Sequence, residues 1–161
     1  MTWGKGREEI LALLNSSPPE LERVGQNLAH AERLLGEAEN HVRGCGLLLD
    51  VDPPGAAQLA YDATRKACEA LLAAQGLRST RQGGHIAVAD AARAQFNGPK
   101  GMLIFAKVNQ LRRERAGTQY PREDTPTVTT ADASATLETA RAVVEAARKL
   151  LDSGKLTPFD L

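Results

Sequence analysis

Between Asp52-Pro53-Pro54 and Gly76, small and apolar side chains return at helical spacing: Leu59, Ala63, Ala67, Ala70, Leu71 and Ala74 lie on one face. The prolines suit a first helical turn, and a glycine suits the position just past a last one. A face made largely of alanine lets neighbouring helices approach closely, so this segment predicts a tightly packed helix. Asp62 and Lys66, four apart, are placed to pair on its solvent side.

The rest of the chain agrees with a helical fold. Aromatic residues are only 4% of the sequence and β-branched residues do not cluster, which disfavours sheets. A short helix is expected over Arg7–Leu14. Ser17-Pro18-Pro19-Glu20 offers a serine cap, a proline in the first turn and a glutamate at the capping-box position. A long helix is therefore expected from there, with Leu21, Val24, Leu28, Ala31, Leu34 and Leu35 on its apolar stripe, running to His41 or Arg43 before Gly44 and Gly46.

Beyond the Arg78–Gly83 loop, a fourth helix is expected over His85–Phe96, ended by Asn97-Gly98-Pro99. A fifth carries Met102, Phe105, Val108 and Leu111, and is expected to stop at Gly117 and Pro121. After a polar loop over Pro121–Thr130, Leu137, Val144 and Leu151 at heptad spacing define a last helix to Asp152. The expectation is an all-α, up-and-down bundle of four long helices with short additions. It forms a single domain over residues 1–161, with residues 1–16 as a short helical extension.

No apolar run is long enough to span a membrane, and the N-terminal stretch turns acidic before a signal peptide could form. A soluble, cytoplasmic protein with no membrane partner is expected, and Cys45 and Cys68, without CxxC spacing, are read as free thiols. The overall charge of zero conceals a pattern: residues 1–60 carry −4, residues 61–122 carry +7 and residues 123–161 carry −3. Either the basic middle meets an anion such as nucleic acid, or the acidic flanks fold against it.

No cofactor or metal site is expected. His30 and His41 lie about 16 Å apart along one helix at 1.5 Å per residue, too far to share an ion. Arg81-Gln82-Gly83-Gly84-His85 has no preceding strand to make it a phosphate loop, and reads either as a turn or as an anion contact through Arg81 and the helix start. In LRRERAGTQYP, Leu111–Pro121, Arg112 and Arg115 share a helix face and can grip a phosphate, whereas Arg113 points about 100° away. Cations near a helix C-terminus also have a purely structural use.

The run AYDATRKACEALLAAQGL, the following RQGGHIAVADAARAQF and LRRERAGTQYP together resemble the HEPN superfamily of bacterial helical domains, from the second helix to the C-terminus. That resemblance implies a helical bundle that dimerises, binds RNA or a nucleotide, and works in a toxin–antitoxin or defence context beside a nucleotidyltransferase partner. Many members are metal-independent endoribonucleases whose motif pairs an Arg with a His a few residues on, completed across the dimer. Here the motif Arg corresponds to Arg115, its Asn position to Ala116 and its His position to Tyr120. Tyrosine, with an ordinary pKa of about 10, is a poor base at neutral pH but can hydrogen-bond or stack on a base.

By that resemblance the nucleic-acid or nucleotide contacts are Arg112, Arg113, Arg115, Tyr120 and Arg81, with Arg115 and Tyr120 as a degenerate catalytic pair. Binding is the first expectation. Alternatives are an endoribonuclease toxin, for which Asp62 or His85 could supply a substitute base, and a helical interaction module or substrate of the nucleotidyltransferase, with Tyr120 as acceptor.

Overall fold

The computed structural model describes residues 3–99 and 104–159. Among them are six helices and a small two-stranded sheet. In chain order these are α1 (Arg7–Asn15), β1 (Leu21–Arg23), α2 (Leu28–Leu48), α3 (Pro53–Ala74), β2 (Leu77–Ser79), α4 (Gly84–Gln95), α5 (Val108–Gln119) and α6 (Thr130–Asp152). The fold is the expected helical bundle.

α3 forms its middle, packed by α2 and α6 along its length and by α4 and α5 on its remaining side. The predicted small-residue face is the reason: Ala63, Ala67, Ala70, Leu71 and Ala74 are fully buried. Asp52 caps the helix by accepting from the Gly55 N–H at 3.0 Å, with Pro53 and Pro54 in the first turn. Gly76 ends the motif at φ 73°, where an added Cβ would sit 2.8 Å from the Val24 carbonyl oxygen. α6 follows its heptad pattern, with Leu137 and Val144 buried and a capping box between Thr129 and Asp132. Cys45 and Cys68 are free and buried.

The segment after α1 departs from expectation. Ser17-Pro18-Pro19-Glu20 caps no helix; Ser16 closes the turn instead, its hydroxyl accepting from the Glu20 N–H at 3.0 Å. Leu21–Arg23 is a strand antiparallel to Leu77–Ser79, with Leu21 opposite Ser79 and Arg23 opposite Leu77. The 78–83 loop thus begins as a strand. Residues 24–27 then lie along the end of α3: Asn27 N–H donates to the Ala73 oxygen and Gln26 Nε2 to the Ala74 oxygen. Carbonyls left open at a helix end are satisfied in this way, which outweighs the weak helical pattern of the segment. α2 starts only at Leu28, capped by Asn27, and runs through Gly44 and Gly46 to Leu48.

Met102 lies outside the described residues. Phe105 is buried against Phe96, ring centroids 5.1 Å apart, and a turn separates it from α5, which begins at Val108. Gly117 does not end α5; the helix continues to Gln119 and stops at Tyr120-Pro121. Arg112, Arg113 and Arg115 are therefore interior residues with no basic residue in the last turn, so the helix dipole does not explain them.

The expectation that acidic flanks fold against the basic middle is met in part. Lys66 reaches Glu37 on α2 rather than Asp62, Asp62 faces Arg65 at 3.7 Å, and Arg78 pairs with Glu22. The acidic N-terminal third thus answers part of the basic middle. Among the described residues no carboxylate forms a salt bridge with Arg112, Arg113 or Arg115.

Candidate anion-binding site

Three helices bring the chemistry together. Tyr61, early in α3, is only 2% exposed. The Arg115 guanidinium on α5 lies over its ring, 5.1 Å from the centroid. His85, second residue of α4, covers the other part of the same side chain, its Nδ1 3.0 Å from the Tyr61 hydroxyl. A buried phenol therefore links a cation and an imidazole far apart in sequence.

The local sequence explains the placement. Gly83, ahead of α4, packs so closely on the chain before β1 that an added Cβ would fall 2.1 Å from the Glu20 oxygen, and this fixes where α4 starts. The Thr80 hydroxyl accepts from the Gly83 N–H at 3.2 Å and donates to the Pro19 oxygen at 2.6 Å, tying the turn to the same segment. On α5, buried Val108 and Leu111 set the helix rotation, and Arg115, one turn past Leu111, points at α3.

Arg65, one turn beyond Tyr61 on α3, is half-buried and held by Glu69 at 2.7 Å and by Asp62. Arg112 is half-buried, its Nε donating to Asn109 Oδ1 at 3.5 Å. Arg115 Nε is buried without a hydrogen-bond partner. Burial pushes the Tyr61 pKa up, against the attraction of Arg115, Arg65 and Arg112. His85 is held below its ordinary range, first by burial and then by Arg65 and Arg115, with Glu69 and Asp62 opposing. The imidazole is thus neutral at neutral pH. His41, across α3 near Lys66, is lowered mainly by burial as well.

The residues expected at the site are not all gathered there. Arg115 and Arg112 share the face turned to Tyr61, while Arg113 is exposed elsewhere on α5. Tyr120 caps the C-terminal end of α5 with 74% exposure, and no hydrogen bond or ring contact joins it to Arg115. Arg81 is exposed on the turn leading into α4. Tyr61 and Arg65 are additions that the sequence reading missed; the available signal was an aromatic and a cation four apart on one helix face. His85, conceived only as a substitute base, is joined to Arg115 through Tyr61.

Arg115 also borders a groove of about 530 Å³ between α5, the 125–128 segment and α6, edged by Lys107, Leu111, Thr118, Thr125 and Thr136. Among the described residues no three His, Cys, Asp or Glu side chains come together to hold a metal, and no helix is long and apolar enough to cross a membrane. Comparison with protein-family models, with curated proteins and with solved structures finds no match to this chain.

Proposed function

We propose that the chain is a HEPN-like protein that binds RNA or a nucleotide by its phosphates, as a homodimer in a toxin–antitoxin or defence setting. The observation that carries the binding is the pair Arg112 and Arg115: two half-buried guanidinia on one helix face that, among the described residues, form no salt bridge with a carboxylate. Uncompensated cations that are partly desolvated favour an anion more strongly than fully solvated ones do. The exposed Tyr120 ring at the end of the same helix is available to stack on a base. Binding of a short RNA, measured against salt, tests this: affinity should fall steeply with salt and weaken in Arg115→Ala.

An endoribonuclease is the second reading, favoured by the contact of His85 with Tyr61 under Arg115. Metal-free cleavage requires a base for the 2′-hydroxyl and a cation for the crowded phosphate; in the neutral tautomer whose Nδ1–H donates to Tyr61, the free Nε2 of His85 would be the base and Arg115 the cation. Incubation of purified protein with RNA in EDTA decides it. Cleavage lost in both His85→Gln and Arg115→Ala supports catalysis, and intact RNA leaves binding alone.

A further inference from the structure

The contact between Tyr61 and His85 has a property that a salt bridge would lack. A phenolic hydroxyl donates to a neutral ring nitrogen and accepts from a protonated one, so the 3.0 Å contact at Nδ1 survives a change of charge on the ring. Nε2 then carries a hydrogen when Tyr61 donates to the neutral ring and also when the ring is protonated. Tyr61 is buried, whereas His85 is exposed as a residue and its ring only partly desolvated.

Two further observations point to an anion there. Thr80 takes the Gly83 and Gly84 N–H groups, but α4 has no acidic residue in its first turn, so no carboxylate answers the positive end of its dipole beside His85. Arg115, over the other part of the Tyr61 ring, has a buried Nε without a partner.

We propose that His85, oriented by Tyr61 and flanked by Arg115, is a proton-coupled phosphate ligand. As the phosphate binds, the imidazole takes a proton from solvent at Nδ1, the Tyr61 hydroxyl hydrogen rotates away so that the Tyr61 oxygen accepts from Nδ1–H, and Nε2–H donates to a phosphate oxygen beside the Arg115 guanidinium. The assignment rests on the anion-binding reading above and adds a residue and a pH dependence to it.

The groups facing His85 give the sign. On α3 these are Tyr61, Asp62, Arg65 and Glu69, and on α5 Arg115. Asp62 and Glu69 are engaged by Arg65, and among the described residues Arg115 forms no salt bridge. With the site empty, burial and the arginines keep the ring neutral. A bound phosphate adds the opposing negative charge and raises the ring's affinity for a proton, so phosphate affinity rises as pH falls.

Calorimetric titration with a hydroxyl-ended 2′-O-methyl oligouridylate tests this, because its diester charge is constant and its own 2′-oxygen cannot attack. Between about pH 8 and about pH 5.5 the wild-type affinity should rise about three- to tenfold, with buffer-dependent heats showing proton uptake. His85→Gln should bind more weakly than wild type at the lower pH and show no rise between the two pH values. Tyr61→Phe keeps the ring under Arg115 but not the orienting hydroxyl, and should flatten the rise. AMP as competitor distinguishes the source of the phosphate: displacement marks a terminal phosphate, and its absence marks a backbone diester. Binding that depends on Arg115 but is equal at both pH values, or a rise that persists in His85→Gln, overturns the proposal and leaves the binding reading standing. No binding of either probe at either pH overturns both.

Discussion

The Arg115 guanidinium rests over the face of Tyr61, 5.1 Å from the ring centroid, and so ties α5 to α3 at the point where α4 also arrives. A cation over a partly desolvated aromatic ring contributes about 0.5–2 kcal/mol, enough to hold a long side chain in place without neutralising its charge. A carboxylate in the same position would have held it too, but would have cancelled the attraction for an anion.

Tyr61 combines a structural ring with a polar tip, and two substitutions separate them. Tyr61→Phe should cost about 0.5–1.5 kcal/mol, the usual value of one hydrogen bond. Tyr61→Ala should cost about 3–5 kcal/mol by opening a cavity between α3, α4 and α5. Urea midpoints of the two variants check the difference.

Acid should destabilise the protein in two separate windows. His41 and His85 have pKa values below the ordinary 6.5, so the unfolded chain binds more protons than the folded one as pH falls through that value. Their contribution to stability is therefore present above about pH 6.5 and is lost progressively below it. Glu37 and Asp132 are lowered from 4.5 and 3.8 by Lys66 and by the Thr129 cap, and their contribution disappears only at lower pH. Unfolding free energy measured from pH 8 to 5 should decline, and the decline should be shallower in a His41→Gln/His85→Gln double variant.

Glycine-to-alanine changes should have opposite signs at two positions. At Gly83 a Cβ would meet the Glu20 oxygen at 2.1 Å and the Ala87 side chain at 2.7 Å, so Gly83→Ala should destabilise by about 1–3 kcal/mol. At Gly117, inside α5, nothing lies within 4 Å of the added Cβ, and Gly117→Ala should stabilise by about 0.5–1 kcal/mol. Thermal melts of the two variants read the signs directly.

The sequence made α3 and α6 legible because their burial is periodic and their ends are marked by side chains that act locally: Asp52, Gly76 and the Thr129–Asp132 box. It misled around Pro18 because the fate of Leu21–Arg23 is decided by β2, more than fifty residues away, and no local pattern records that pairing. Gly117 misled for the opposite reason, since a glycine stops a helix only where the chain turns, and α5 turns at Tyr120-Pro121. At the site, Arg112 and Arg115 were legible as one helix face. The role of Tyr61 was not, because it comes from helix packing that joins Arg115 to His85.

The central claim is that the Arg112–Arg115 face binds phosphate, and binding of the 2′-O-methyl oligouridylate at about 50 and about 200 mM salt tests it most directly. Wild-type protein should bind and weaken steeply between the two salts. An Arg112→Ala/Arg115→Ala variant that melts like the wild type should lose most of the affinity and reduce the salt slope by about 1.4, about 0.7 for each phosphate contact removed from a single strand. A double variant that binds as tightly as wild type, or a wild-type affinity indifferent to salt, would contradict the account.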